Sequence, residues 1–327
     1  MISFLSCDWG TSSFRLSLVD AENFKVLANE TAGKGILHTF NNWKETRNAD
    51  PLIRLSFYLD IIQEHIIALE KKAGLALDGV PLLISGMASS SIGLKLLPYH
   101  KMPFSIDGSG MLCEHLSATP DFQHDVLLIS GVCSGEDVMR GEETQLIGIV
   151  PDDASFAGNQ LFIFPGTHSK HIIVNGQHAT AFKTFMTGEF FDLLSKKSIL
   201  QDSLEQEDGL QTPEAKNSFE KAVREGLESN LLNACFRVRT NILFDTISKK
   251  ENYHYLSGLL IGAELGEIVR NDTIGIYLCG GAHVKVYYET ALQVLGLTDK
   301  VHSFPAPAVE KAALKGQFKI YEKHIKR

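Results

Sequence analysis

The chain begins with MISFLSCDWGTSSFRLSLVD (1–20), and this stretch gives the first indication of its architecture. Its apolar run from Ile2 to Cys7 predicts a buried strand, which ends on Asp8. The small, hydroxyl-rich segment WGTSS (9–13) follows, and apolar alternation then resumes. This order predicts two paired strands joined by a turn that carries a carboxylate at its start.

The composition favours a small molecule as the partner of this chain. Its 327 residues with 44% hydrophobic content are enough for two lobes with their own cores. Lys and Arg number 31 against 39 Asp and Glu, a net charge of −8, and no basic run occurs. We therefore expect neither a nucleic acid nor a membrane as partner. A homo-oligomer is compatible with the sequence.

The cysteines indicate a reducing compartment. They are five in number, widely scattered, and none forms a C-x-x-C pair, which argues against a disulfide framework and against a zinc site. No segment reaches the ~18 apolar residues that a membrane span requires. The sequence predicts a cytoplasmic protein.

Short apolar strands alternate with amphipathic helices along the chain, which predicts an α/β protein with covered sheets. Asp50 and Pro51 predict a helix start, and Gly74 its end. Residues 160–182 predict strand, turn, strand, turn, strand, like the opening hairpin, and residues 255–269 predict a helix with small residues on one stripe, suited to close helix packing. We expect lobes at 1–155 and 156–327, with the last helix (308–316) either in the second lobe or packed back on the first.

Three small-residue turns each follow a strand: DWGTSS (8–13), PGTHSK (165–170) and CGGAH (279–283). Glycine, serine and threonine let backbone N–H groups and hydroxyls converge on an anion such as phosphate. Asp8 at the strand end can hold Mg²⁺ directly or through water, while Thr11 and Ser12 reach phosphoryl oxygens. Each turn alone is also compatible with an ordinary hairpin or with close packing, so their order and spacing carry the prediction.

This order resembles that of the actin, sugar-kinase and heat-shock chaperone superfamily, whose two lobes enclose ATP in a cleft. VMRGEETQLIG (138–148), FKTFMTGE (182–189) and LSGLLIGAE (256–264) resemble, in the same order, signature stretches of the 2-dehydro-3-deoxygalactonokinase family. The resemblance implies the two-lobed actin-like ATPase (ribonuclease H-like) fold. It also implies transfer of a phosphoryl group from MgATP to the 6-hydroxyl of 2-dehydro-3-deoxygalactonate, in galactonate breakdown.

The resemblance further implies which residues bind the nucleotide. We expect them in the first phosphate motif, the second phosphate motif and the adenosine motif: Gly10, Thr11, Ser12, Ser13, Gly166, Thr167, His168, Lys170, Gly280, Gly281 and Ala282. Asp8 is the expected metal ligand. Lys170 can place positive charge on the transferring group or lie at the hairpin edge, and no metal-ligand spacing accompanies His168 and His171.

Phosphoryl transfer also needs a carboxylate near the attacking hydroxyl. Gly141–Glu142–Glu143 occupies the place of the G-D-Q segment that carries the catalytic Asp of related sugar kinases. Glu142 is the candidate base, and Glu143 and Asp137 remain alternatives. Acidic residues in a first helical turn are also favourable simply because they face the positive end of the helix dipole.

Two further segments are candidates for the sugar-acid site. SGMASSSIGLK (85–95) resembles a substrate loop of larger carbohydrate kinases, and Arg140 can clasp a carboxylate or form a local salt bridge. Serine-rich turns and MTGE (186–189) are equally compatible with helix capping. The candidate substrate residues are Met87, Ser89, Ser90, Arg140, Thr187 and Glu189.

Two other functions fit the same fold. An ATP-driven switch of the actin or chaperone type would use nucleotide to drive lobe closure. A phosphohydrolase would consume ATP without any sugar.

Overall fold

The computed structural model describes residues 3–269 and 275–325, and internal contacts divide the chain into two units. The first comprises Met1–Ser155, Gln177–Thr180 and Pro307–Arg327, and the second comprises Phe156–Gly176 and Ala181–Ala306. Residues 273 and 274, where the strand predicted before CGGAH begins, lie outside the described residues. No helix in the described part of the chain is long and apolar enough to cross a bilayer.

The first unit contains ten short or medium strands: β1 (Ser3–Trp9), β2 (Phe14–Asp20), β3 (Lys25–Ala32), β4 (Leu82–Gly86), β5 (His100–Lys101), β6 (Phe104–Ser105), β7 (Cys113–Leu116), β8 (Val126–Ile129), β9 (Val132–Cys133) and β10 (Val138–Met139). The main sheet has the order β3-β2-β1-β4-β8-β7, and a small sheet has the order β10-β9-β5. β1 is antiparallel to β2 and parallel to β4, so the predicted opening hairpin is confirmed.

Three helices of the first unit precede the second unit in sequence: α1 (Ile36–Arg47), α2 (Arg54–Ala73) and α3 (Glu142–Ile149). The predicted helix boundaries at Asp50 and Gly74 are confirmed with one refinement. Asp50 caps a single 3-10 turn at Pro51–Ile53, which continues into α2, and Gly74 ends α2 in the left-handed conformation (φ 67°).

The strands of the second unit are β11 (Phe156–Phe164), β12 (Ser169–Gly176), β13 (His178–Phe185, whose first residues belong to the first unit), β14 (Gly275–Leu278) and β15 (Val301–Ser303). They follow the order β15-β14-β11-β12-β13. The succession of three strands predicted over 160–182 is therefore confirmed, with wider outer bounds at Phe156 and Phe185. Its helices are α4 (Thr187–Lys197), α5 (Pro213–Glu228), α6 (Leu231–Leu243), α7 (Lys249–Val269) and α8 (Ala282–Val294).

The helix predicted over 308–316 has different bounds. The structure has α9 (Ala306–Glu310) and then α10 (Ala312–Ile325), and α10 belongs to the first unit. Its Gln317 is fully buried. Ser6 Oγ donates to Gln317 Oε1 (2.6 Å), and Gln317 Nε2 donates to Cys7 O (2.9 Å) and Ser85 Oγ (2.8 Å). One side chain of α10 thus ties β1 to β4 just before Asp8.

Alternation along β1 explains why both faces of the sheet are covered. Leu5 and Trp9 face a core that includes Ile62 of α2, whereas Phe4 stacks on Phe318 of α10 at 5.0 Å between ring centroids. In the second unit, the small-residue stripe predicted for α7 is confirmed as a packing surface. A Cβ on Gly258 would overlap a backbone carbonyl of α5.

Helices α3 and α10 cross with backbone in contact. A Cβ on Gly316 would overlap the carbonyl oxygen of Thr144, and one on Gly148 would overlap that of Ala312. Since α3 begins at the candidate catalytic residue Glu142, this crossing fixes the direction from which that residue leaves the helix.

We expect Gly316→Ala to lower the free energy of unfolding by about 3 kcal/mol, because the added methyl group forces the two helices apart. Helix propensity alone predicts the opposite sign, a gain of about 1 kcal/mol. Urea denaturation measures the difference. Gly33→Ala is the control, since nothing lies within 4 Å of the position that a Cβ would take at Gly33. A Gly316→Ala protein as stable as wild type would contradict the close backbone contact between α3 and α10.

Candidate active site

The first phosphate turn joins β1 to β2 and has a fixed backbone. Gly10 N–H donates to Ser13 O (2.9 Å), which closes the turn. The carbonyl oxygens of Gly10 and Thr11 accept hydrogen bonds from the N–H groups of Ile36 (3.0 Å) and Leu37 (3.3 Å) at the start of α1. The Thr11 side chain stays exposed. The turn therefore presents hydroxyls outward while its carbonyls are occupied.

Asp8 lies at the end of β1, directly opposite Arg15 of β2. Arg15 Nη1 donates to Asp8 Oδ2 at 3.3 Å, and a quarter of the Asp8 side chain (26%) is exposed. Burial raises the pKa of Asp8, and the Arg15 charge opposes this rise. In the described part of the chain no cluster of three or more His, Cys, Asp or Glu could hold a metal ion. A lone carboxylate does suit Mg²⁺ that keeps its waters and takes phosphate oxygens as ligands.

The segment after β4 comes close to Asp8. A Cβ on Gly86 (φ 86°) would lie 2.8 Å from Trp9 O and 3.4 Å from Asp8 Oδ1. A Cβ on Gly141 would lie 3.7 Å from Gly86 Cα. The structure therefore brings together the metal-ligand candidate, the start of the substrate loop and the turn before Glu142, all within the first unit.

The substrate loop and Arg140 are in direct contact. Arg140 Nη1 donates to Ser89 O (2.8 Å) and to Ser89 Oγ (2.6 Å), and its guanidinium lies over the Tyr99 ring at 4.0 Å. Two atoms here, Ser90 Oγ and Arg140 Nε, are buried with no hydrogen-bond partner among the described residues. Buried polar atoms normally have partners, so these can serve a polar ligand. Met87 is half-buried in the same loop.

The candidate catalytic turn holds two glutamates in different environments. Gly141 (φ 108°) donates its N–H to both carboxylate oxygens of Glu143 (2.9 and 2.8 Å), and Thr144 Oγ1 donates to Oε1 (2.9 Å). Glu143 is only 1% exposed, and burial, together with the charge of Glu142, raises its pKa to about 7. Glu142 is half-buried. Asp137 accepts a hydrogen bond from its neighbour Val138 N–H (2.7 Å).

The second phosphate turn lies between β11 and β12 and is covered by the start of α4. Glu189 N–H donates to Thr167 O (3.0 Å), and a Cβ on Gly188 would lie 2.5 Å from Gly166 O. His168 Nε2 lies 2.5 Å from Glu189 Oε2. Glu189, predicted as a substrate residue, thus contacts the phosphate turn. Gly166, Thr167 and His168 are exposed, whereas Lys170 is buried.

Glu264, for which no motif predicts a role, organises this half of the site. Glu264 is 3% exposed and accepts hydrogen bonds from Ser169 Oγ (2.7 Å), Tyr288 OH (2.8 Å) and Thr187 Oγ1, and His171 Nε2 lies 2.8 Å from it. Burial raises its pKa, but the hydrogen bonds, led by that of His171, lower it further than burial raises it. The signal in the sequence was one acidic residue within the small and apolar LSGLLIGAE.

A cavity of about 380 Å³ in the second unit runs from the phosphate turn to α8. The turn contributes Gly166 and Thr167, α4 contributes Phe191, and α8 contributes His283 and Tyr287. The predicted adenosine motif lies at the start of α8, the helix that forms this wall of the cavity. Gly281 directly precedes α8, Ala282 is its first residue, and a Cβ on Gly280 would lie 3.4 Å from Pro165 Cγ. The second and third predicted motifs therefore meet in one unit.

Comparison with known proteins gives consistent matches over nearly the whole chain. A family profile described as 2-keto-3-deoxy-galactonokinase matches residues 8–320. A probable 2-dehydro-3-deoxygalactonokinase of Rhizobium meliloti (strain 1021) is 31% identical over 302 residues, which cover 90% of both chains. The 2-dehydro-3-deoxygalactonokinase of Escherichia coli (strain K12) is 33% identical over 229 residues, 66% of this chain and 71% of that protein.

Solved structures show the same fold. The crystal structure of a Sinorhizobium meliloti protein proposed to be a 2-dehydro-3-deoxygalactonokinase has a TM-score of 0.78 at 27% identity, covering 98% of this chain and 96% of that one. The activator of the 2-hydroxyisocaproyl-CoA dehydratase from Clostridium difficile, with bound ADPNP, has a TM-score of 0.51 at 10% identity. The alignment covers 99% of this chain and 96% of that one. This second likeness concerns the fold alone.

We expect Glu264→Gln to lower the free energy of unfolding by about 3 kcal/mol, because an amide NH₂ group then faces hydroxyl groups that already donate to the carboxylate. Urea denaturation measures the loss. Glu267→Gln on the same helix is the control, because Glu267 forms an exposed ion pair with Lys183 and should change stability by about 0.5 kcal/mol or less. Equal effects of the two substitutions would contradict this role of Glu264.

Glu143 should make the stability of the protein depend on pH. Since its pKa is raised to about 7 in the folded protein, the folded state holds the proton more tightly than the unfolded chain. Its contribution is full below the unfolded-state pKa and is lost as the pH rises through about 7. Between pH 5 and 8 we expect wild type to lose about 2 kcal/mol relative to Glu143→Gln. Chemical denaturation at the two pH values measures this, and the exposed Glu136→Gln should follow wild type.

Proposed function

The chain belongs to the 2-keto-3-deoxy-galactonokinase family, and from this premise we propose that it transfers the γ-phosphoryl group of ATP to the 6-hydroxyl of 2-dehydro-3-deoxy-D-galactonate. It is a sugar-acid kinase of galactonate catabolism. The observation that best supports the proposed reaction is the cavity that joins the second phosphate turn to the aromatic wall of α8. An ATP-driven switch or a phosphohydrolase is not favoured.

The second unit supplies the nucleotide site in this proposal. Exposed backbone and hydroxyl groups at Gly166 and Thr167 suit phosphoryl oxygens, because no large side chain hinders approach. Tyr287 and Phe191 offer apolar ring surface along the same cavity for a purine base. The cavity therefore has both kinds of wall that ATP requires.

The first unit supplies the acceptor site. Arg140 and Ser90 Oγ, which has no hydrogen-bond partner in the part of the chain that the structure describes, suit the carboxylate and hydroxyl groups of a sugar acid. Thr187 and Glu189, the other two candidate substrate residues, contact Glu264 and the second phosphate turn instead, so we assign them to positioning that turn.

Glu142 is the proposed general base. Glu143 is buried, and its carboxylate is bound to Gly141 N–H and Thr144, so it shapes the turn. Glu142 is more exposed and begins the helix next to Gly86. It would accept the proton of the 6-hydroxyl as that oxygen attacks the γ-phosphorus and the bond to the ADP oxygen breaks.

Mg²⁺ fits the first phosphate turn, where Asp8 would hold it together with phosphate oxygens. When bound, this ion neutralises charge on the phosphoryl groups. The hydroxyls of Thr11 and Ser12 are exposed beside it and can orient the phosphoryl oxygens.

All five cysteines are free thiols, which supports a cytoplasmic site of action.

The reaction is tested with the purified protein, MgATP and a panel of sugar acids and neutral sugars, with ADP release as the readout. We expect turnover that depends on 2-dehydro-3-deoxy-D-galactonate. Mass spectrometry should detect the phosphorylated product. Equal ADP release with and without the sugar acid would instead identify a phosphohydrolase and overturn the proposal.

The roles of the carboxylates are tested by matched substitutions. We expect Glu142→Gln to lower kcat by about 10²- to 10⁴-fold, because no base then accepts the hydroxyl proton. Asp8→Asn should lower activity by about 10- to 100-fold, with part of the loss recovered at high Mg²⁺. Circular dichroism checks folding. If both variants turn over like wild type, the assigned roles are wrong.

A further inference from the structure

The nucleotide cavity has two chemically different ends, and the distance between them can be estimated along helix α7. Glu264 on α7 contacts Ser169 and Thr187, next to the phosphate turn. Tyr253, which lines the other end of the cavity, lies eleven residues earlier on the same helix, about 16 Å away at 1.5 Å per residue. The far end is therefore where the nucleoside part of the nucleotide would lie.

The loop between α4 and α5 reaches this far end and is anchored on both sides of Asp208. Glu207 Oε2 lies 3.2 Å from Nε2 of the buried His254. Gly209, with φ at 72°, brings its backbone N–H close to the hydroxyl of Tyr287. Because Glu207 contacts a buried residue of α7 and Gly209 lies next to a residue of the cavity wall, the position of Asp208 between them is set by the fold.

Asp208 lines the cavity beside the rings of Tyr253 and Tyr287, and it is exposed to solvent. Burial raises the pKa of Tyr287 to about 12 and raises that of Tyr253, and the nearby charge of Asp208 contributes to both shifts. Within residues 3–269 and 275–325, no hydrogen bond or ion pair to this carboxylate is found. A carboxylate accepts hydrogen bonds and donates none, so it suits a donor on the ligand.

We propose that Asp208 accepts a hydrogen bond from the nucleoside of the bound nucleotide and so selects among nucleotides. This inference rests on the proposed nucleotide site. Two groups of adenosine are donors of this kind, the exocyclic amine of the base and the ribose hydroxyls. A nucleotide that lacks the donor loses a hydrogen bond to a charged group, and a 6-oxo base places an acceptor against the carboxylate.

The test measures binding of nucleotide alone by isothermal titration calorimetry. ADP is compared with IDP, which has an oxo group in place of the amine, and with 2′-deoxy-ADP. We expect wild type to bind ADP about tenfold or more tightly than one of the analogues, and Asp208→Ala to lose that preference. Loss in the IDP arm assigns the donor to the base, and loss in the 2′-deoxy arm assigns it to the ribose.

Asp202→Ala is the matched control, because Asp202 is exposed in the same connecting segment and does not line the cavity. It should keep the wild-type preference. Equal affinity of wild type for all three nucleotides, an equal loss for all three in Asp208→Ala, or no nucleotide binding would overturn the inference. No sugar acid is present, so failure to phosphorylate 2-dehydro-3-deoxy-D-galactonate would leave a measured preference for ADP intact.

Discussion

Close backbone contact at glycine holds the turns on which the proposed chemistry depends. Gly35 packs on the first phosphate turn, Gly188 on the second, and Gly316 on the helix that begins at Glu142. At each site a Cβ would meet backbone atoms, which cannot move aside as a flexible side chain can. The turns can therefore be short and rich in small residues, as anion binding requires, and still keep one conformation.

The two units meet the demands of phosphoryl transfer in different ways. In the second unit, Glu264 accepts hydrogen bonds from hydroxyl groups of three separate elements, which holds together the segments around the second phosphate turn. In the first unit, Ser90 Oγ and Arg140 Nε are buried without partners among the described residues. Unsatisfied polar atoms are costly in a folded protein, and a polar substrate that binds them recovers this cost as affinity.

The family assignment and the local chemistry support each other at the turn before α3. The departure from Asp to Glu at position 142 lengthens the candidate base by one methylene. The same turn has a second glutamate, Glu143, whose carboxylate closes the loop on Gly141 N–H. In this turn, Glu143 shapes the loop, and Glu142 is the more accessible carboxylate. The fold of the actin-like ATPases, expected from the resemblance, is confirmed by the structural likeness.

The elements and the motifs could be predicted from the sequence alone, because strand alternation, helix periodicity and turn residues act over a few neighbours. The opening hairpin, the helix stop at Gly74 and the small-residue stripe of α7 could all be read in this way. Only the tertiary structure decided what those elements do together. Gln317 joins Cys7 across 310 residues, Glu264 accepts hydrogen bonds from distant segments, and Asp208 lines the cavity of the second unit. Such contacts depend on how helices and strands pack, and local patterns hold no information about a partner hundreds of residues away.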